Sequence, residues 1–139
     1  DSTTIWSVDH SEFRPDLTVI YLGANDFSGW MMPDYKKFNN GYIRLLNEVK
    51  ANYGEEHPIL CMTPGPYEYL FTYVRDVVNN CGMKNVYFLG HCPSIHNETD
   101  EDLGAGWHPN YNGQQKIAHA LIPYIATITG WGLQDNPVK

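Results

Sequence analysis

Leu17-Thr18-Val19-Ile20-Tyr21-Leu22 is a nearly unbroken apolar run, rich in β-branched and aromatic residues, introduced by Pro15-Asp16 and closed by Gly23. A short run without polar alternation predicts a strand buried on both faces, as a parallel sheet requires. Downstream, Tyr35, Phe38, Tyr42, Ile43, Leu45, Leu46 and Val49 recur at three- and four-residue spacing. That period predicts an amphipathic helix ending near Tyr53-Gly54, with glycine as the C-cap. Pro58 to Thr63 (PILCMT) predicts a second buried strand, broken by Pro64-Gly65-Pro66. A second helix follows through Tyr69, Leu70, Tyr73, Val74, Val77 and Val78 to a stop at Cys81-Gly82, and Asn85 to Leu89 (NVYFL) supplies a third strand. His91 to Trp107 is polar, acidic and Gly-bearing, which predicts a long loop of the kind that carries function in compact domains. The last helix starts between Tyr111 and Gly113 and runs through Ile117, Ala118, Leu121, Ile122 and Ile125, with a kink expected at Pro123. Strand and helix alternate three times, so the expected class is α/β: one three-layer α/β/α domain over residues 1–139, built on a short parallel sheet.

The 139 residues, 42% hydrophobic and 18% charged, suffice for one compact core. A formal net charge of -7, with the nine Lys and Arg scattered along the chain, leaves no basic stripe to neutralise phosphates. Nucleic acid and anionic membranes are disfavoured as partners. No run approaches the ~20 consecutive apolar residues that span a bilayer, and the first residues lack a basic region followed by an apolar one. Cys61, Cys81 and Cys92 are odd in number and lack CxxC spacing, so they predict neither a disulfide framework nor a zinc knuckle. His91, Cys92 and His96 have no fourth residue at supporting spacing, so no metal site is expected. Aromatic residues make up 14% of the chain and many sit beside Gly, Pro and Asn in predicted loops. That pattern suits a secreted protein that handles sugars, and it also suits ordinary core packing.

Open parallel sheets place their working residues beyond the carboxyl ends of the strands. The positions of that kind are Gly23-Ala24-Asn25-Asp26, Thr63-Pro64-Gly65-Pro66, and the loop that leads to Trp107-His108-Pro109-Asn110. Gly23 lets the chain turn sharply, so that Asn25 can aim its side-chain amide into the crevice. A neutral, preorganised donor is what a developing oxyanion needs, although Asn-Asp after a strand is also an ordinary turn or helix cap. His108 is a candidate general base, with a plain surface histidine as the alternative. Trp30, Met31 and Met32 suit an apolar platform for a sugar ring and packed core about equally well.

In this order, PDLTVIYLGANDFS (residues 15–28) resembles the third signature block of the SGNH, or GDSL-like, hydrolases, in which Gly-x-Asn-Asp follows a central strand and the Asn contributes to the oxyanion hole. GWHPNYNGQQKIAHAL (residues 106–121) resembles the fifth block, in which a catalytic His followed by Pro and Asn precedes the closing helix. The motifs stand about 80 residues apart with the expected strands and helices between them. Within that superfamily the chain is similar to carbohydrate esterase family two from Phe13 to Trp131. Members of that family remove acetyl groups from plant polysaccharides such as xylan. The resemblance implies the C-terminal half of a flavodoxin-like SGNH fold and a serine esterase acting on acetylated carbohydrate, secreted or extracellular, with no metal or organic cofactor. It implies His108 as the catalytic base and Asn25 and Gly23 in the oxyanion hole; Trp30 and Trp107 are the candidate substrate contacts.

The sequence departs from the family pattern in two places. The first block, Gly-Asp-Ser, carries the nucleophile, and Asp1-Ser2 echoes it only superficially. Ser2 precedes Ala24 by 22 positions, too few for the helix, strand and helix that should intervene, because each βα crossover needs a dozen or more residues. The nucleophile block is therefore expected to be missing from this chain. Many members also carry Asp three residues before the His or close to it, where this chain has Ala105 and Gly106. As in the Ser-His dyads of some family-two esterases, the carbonyl of Trp107 is then a candidate to orient His108, with Asp102 or Asp100 as loop acids. A chain without a nucleophile also fits a non-catalytic fragment that binds carbohydrate or a partner chain. A flavodoxin-like ligand-binding domain fits less well, since no phosphate-cradling glycine loop follows any strand. In the family's strand order the missing first strand adjoins residues 17–22, leaving an apolar edge with no charge or proline between Thr18 and Leu22. Such an edge predicts association with a second copy of this chain or with an N-terminal partner fragment that brings the serine.

Overall fold

A computed structural model describes residues 13–27, 32–65, 67–90 and 101–133, with the backbone alone of Trp107. Ser2, Trp30, Met31, His91, Cys92, His96 and Asp100 lie outside the described residues. In chain order the elements are β1 (Thr18–Tyr21), α1 (Tyr35–Tyr53), β2 (Ile59–Met62), α2 (Glu68–Asn80), β3 (Val86–Gly90) and α3 (Tyr111–Thr129), with short 3-10 turns at Ala24–Phe27 and Ala105–Trp107. The strands form a parallel sheet in the order β1-β2-β3, with Thr18 opposite Ile59 and Ile59 opposite Val86.

The middle strand explains the layering. All four residues of β2 are at most 1% exposed. Because successive side chains of a strand point to opposite faces, Ile59 and Cys61 enter one core and Leu60 and Met62 another. The first core packs Ile59 and Cys61 against Tyr42 and Leu46 of α1 and Leu70, Val74 and Val77 of α2. The second packs Leu60 and Met62 against Ile117 of α3. Helices thus cover both faces, giving the three-layer α/β/α arrangement expected from the alternation of elements. Both crossovers from β1 to β2 and from β2 to β3 place their helices on one face, as consecutive crossovers of one hand must when the strand order runs steadily across the sheet.

Local signals set the element ends. Asp34 caps α1, its carboxylate accepting from the Lys37 amide at 2.9 Å, and Asn110 caps α3 in the same way through Gly113. Each side-chain cap satisfies one of the amide donors that a helix start leaves unpaired. The third strand runs one residue later than its apolar run suggests, ending at Gly90. Helix α3 continues through Pro123 to Thr129. Pro123 and His119 both lie on the exposed side of the helix, although a proline inside a helix removes one backbone hydrogen bond. Cys61 lies in the core, where burial pushes its thiol up to about 11.

Beneath the sheet, opposite the strands' carboxyl ends, a buried polar knot ties α1 to the starts of β1, β2 and β3. The Lys50 ammonium donates to the carbonyls of Glu55 (2.8 Å), His57 (2.6 Å) and Lys84 (2.6 Å), using all three of its protons. His57 is 8% exposed, packs at a tilt against the Tyr53 ring and is hydrogen-bonded through Nε2 to Thr18 Oγ1 at 2.9 Å. Burial holds its imidazole below the usual histidine range, and the charges of Lys50 and Arg14 push the same way against Asp16. The unfolded chain, with a histidine value near ~6.5, therefore takes up the proton first on acidification. The contribution of His57 is present above that value and lost as the pH falls below it. The melting temperature should accordingly fall between pH 7 and 5.5, and His57→Gln should flatten that fall; an equally steep fall in the variant would place the sensitive group elsewhere.

Candidate active site

At the carboxyl end of β1 the chain turns through Gly23, whose φ is 110°. A side chain there would be strained, and its Cβ would lie 2.6 Å from Leu70 Cδ1, so glycine is required by both backbone and packing. The Asp26 amide donates back to the Gly23 carbonyl at 3.1 Å, closing the 3-10 turn that carries Asn25 on its exposed side. Phe27 locks this turn to the helices: its ring meets Phe38 and Tyr73 edge-on at centroid distances of 5.5 and 5.4 Å. Between the turn and α1 lies a shallow groove lined by Leu22, Gly23, Asp26, Lys37, Phe38 and Leu45. At the end of β2, Thr63 is 1% exposed and its amide donates to the Gly90 carbonyl at 3.2 Å. Its hydroxyl has no hydrogen-bond partner among the described residues.

His108 sits on a tight hairpin in front of α3. Leu103 and Pro109 form an antiparallel bridge. The Gly104 amide donates to the His108 carbonyl at 2.7 Å, and the Asn110 amide donates to the Asp102 carbonyl at 2.9 Å. The Asn110 side chain reaches back to the carbonyls of Glu101 (2.7 Å) and Leu103 (3.2 Å) while accepting from Gly113 at 3.1 Å. One residue thus joins the hairpin to the helix start. His108 is exposed and its ring lies over Gly106, where an added methyl would be 3.5 Å from Cδ2. No described side chain hydrogen-bonds the imidazole. The Asp102 carboxylate, 2% exposed, pairs with the Lys116 ammonium.

Asn25 and His108 thus stand on separately anchored turns: the first is fixed to α1 and α2 through Phe27 and Leu70, the second to α3 through Asn110 and Asp102. Trp30 and the Trp107 side chain, the expected substrate contacts, lie outside the described residues. A family profile described as GDSL-like Lipase/Acylhydrolase matches residues 2–121, which include both turns.

The chain belongs to the GDSL-like lipase/acylhydrolase family.

Among its relatives, the cellulase/esterase CelE of Acetivibrio thermocellus is 35% identical over 130 residues, covering 88% of this chain and 16% of that protein. An acetylxylan esterase/glucomannan deacetylase of Cellvibrio japonicus is 24% identical over 127 residues, 88% of this chain and 34% of that protein. Among solved structures, a family two carbohydrate esterase from Clostridium thermocellum in complex with cellohexaose superposes with a TM-score of 0.73 at 34% identity, over 89% of this chain and 39% of that one. This GDSL-like chain therefore spans well under half the length of the relatives it matches.

Some of what builds the GDSL-like site escaped the sequence reading. Asn110 as helix cap was detectable, since Asn immediately before a periodic apolar run is a helix-start signal. Leu70 beneath Gly23, and the pairing of Asp102 with Lys116 fourteen positions on, carry no sequence pattern because only tertiary packing brings them together. Gly113 is a further example: a Cβ there would collide with the Asp102 carbonyl and approach Pro109 Cβ to 3.0 Å. Gly113→Ala should push the hairpin off α3 and cost ~1–3 kcal/mol, the usual range for overpacking a filled site. Chemical denaturation checks this, and a variant as stable as the parent would mean that the hairpin yields freely.

Proposed function

We propose that this chain supplies the oxyanion-hole asparagine and the general base of a serine esterase that deacetylates plant polysaccharide such as acetyl xylan. The observation that carries the reading is the family match over residues 2–121, which spans Asn25 beyond the carboxyl end of β1 and His108 at the head of α3. The named relatives, an acetylxylan esterase/glucomannan deacetylase and a family two carbohydrate esterase, support acetylated carbohydrate as the substrate class. An enzyme working on a cell-wall polymer meets it outside the cell, so we infer secretion as well.

In this mechanism the serine hydroxyl attacks the acetyl carbonyl while His108 takes its proton. Asn25, with backbone amides of the Gly23 turn, stabilises the tetrahedral oxyanion. His108 then returns the proton to the sugar oxygen as the ester bond breaks. Water attacks the acetyl-serine in the same manner and releases acetate. The serines of the chain, Ser2, Ser7, Ser11, Ser28 and Ser94, all lie outside the described residues, and the nucleophile is assigned to none of them. A second reading, a non-catalytic chain that binds carbohydrate or a partner, is favoured by Asp1-Ser2 echoing the nucleophile block at a spacing too short for the family's intervening elements.

Asn25→Ala in the full-length protein should lower acetyl-ester turnover by about 10²- to 10³-fold, the usual cost of losing one oxyanion donor. His108→Ala should be at least as damaging while leaving the melting temperature nearly unchanged, since the ring is exposed. Turnover that survives both substitutions would remove these residues from the mechanism. Acetyl-ester hydrolysis by the full-length protein separates the two readings, since the non-catalytic one predicts none.

A further inference from the structure

The hairpin that carries His108 is held at two levels. Within itself it has the Gly104–His108 and Asn110–Asp102 backbone hydrogen bonds and the Leu103–Pro109 bridge. Towards α3 it has the Asn110 cap at the first turn and, further along the helix, the ion pair between Asp102 and Lys116. The partners of that pair differ in exposure, with Asp102 at 2% and Lys116 at 47%. A carboxylate buried to that degree requires a counter-charge, because its desolvation is otherwise uncompensated. Lys116 is the only cation within hydrogen-bonding reach of it among the described residues. Ile117, the next residue of α3, is 7% exposed in the core with Leu60 and Met62. The lysine therefore projects from a turn that is itself immobilised on the sheet.

The imidazole of His108 has no described side chain to orient it, so its position is inherited from the backbone that carries it. That backbone is tied to Asp102 on one strand of the hairpin and to Asn110 on the other. We propose that Lys116, acting through the buried carboxylate of Asp102, is a positioning residue for His108. Asp102 is then the anchor of the hairpin, and its charge serves Lys116 rather than the imidazole. The inference rests on His108 as the base of the esterase. It goes beyond that reading by assigning a role to a pair that lies away from the reacting atoms.

The test uses the full-length protein with 4-nitrophenyl acetate as probe, and follows hydrogen exchange in a peptide covering residues 101–112. Lys116→Met should lower kcat by about 10- to 100-fold, the scale of a catalytic group displaced by about an ångström, with KM little changed. Exchange in the hairpin peptide should quicken while that of β2 stays slow, and Lys116→Arg should restore most of the loss. Because Lys116→Met leaves a buried carboxylate unpaired and can unfold the protein, the double variant Asp102→Asn/Lys116→Met removes both charges together. It too should show a looser hairpin and reduced kcat. A folded double variant with parental kcat and parental exchange overturns the proposal. So does an Asp102→Asn variant that is far more damaging than Lys116→Met and shifts the acidic limb of the kcat/KM profile, since Asp102 would then act on the imidazole directly. If His108→Ala retains turnover, the esterase reading fails by itself, and the exchange measurement still decides whether Lys116 holds the hairpin.

Discussion

The burial of β2 on both faces is the constraint to which the rest of the structure answers. Four residues, Ile59 to Met62, are at most 1% exposed, and a strand without a solvent face must be paired along both edges and covered on both sides. The edges are taken by β1 and β3. The faces need two layers of helices, and parallel pairing supplies them, because each strand-to-strand return requires a crossover that packs on the sheet. Each residue of β2 then has its own cover: Leu46, Leu70 and Val74 on the face of Ile59 and Cys61, and Ile117 on the face of Leu60 and Met62. Truncating Leu46, Leu70 or Ile59, each with no exposed surface, belongs to the class of change that costs ~2–5 kcal/mol.

The same layering distributes the candidate chemistry. The turn with Asn25 is built against the α1/α2 layer and the hairpin with His108 against α3, so the two candidate residues arise from opposite faces of one sheet. Each is held by a different physical device. An aromatic cluster of Phe27, Phe38 and Tyr73 fixes the first by edge-to-face packing. The second relies on backbone hydrogen bonds, a helix cap and a buried ion pair. Each turn is thereby anchored to its own layer, while the Asn25 and His108 side chains are themselves exposed.

The opposite end of the sheet shows a different use of polarity. Lys50 is 9% exposed, and its ammonium is enclosed by the carbonyls of Glu55, His57 and Lys84. These carbonyls belong to the segments that enter β2 and β3, so one charged group satisfies acceptors that loops would otherwise leave buried and unpaired. Burial pushes the ammonium below the usual lysine range, against the opposing pull of nearby acids. Polar groups are thus spent on fixing loop geometry at both ends of the sheet, while its middle is apolar.

The alternation of apolar runs and helical periods was enough to determine the class, the layers and nearly every element, because burial on both faces writes a continuous apolar run such as PILCMT directly into the sequence. LTVIYL, read in the same way, instead forms an edge strand of the described sheet in which only Ile20 is buried, with Val19 40% and Leu22 57% exposed, since an apolar run does not distinguish a central strand from an edge one. The signature residues Asn25 and His108, and the family to which they point, were also legible, since each stands immediately beyond an element whose end is marked by glycine or by a capping residue. Tertiary structure alone decided how these residues are held. Leu70 closing on Gly23, Phe27 among the rings of two helices, Lys50 in its cage of carbonyls and Asp102 on Lys116 join positions that carry no shared period or motif. Contacts of this kind depend on the angles at which packed layers meet, a quantity that the local sequence does not encode.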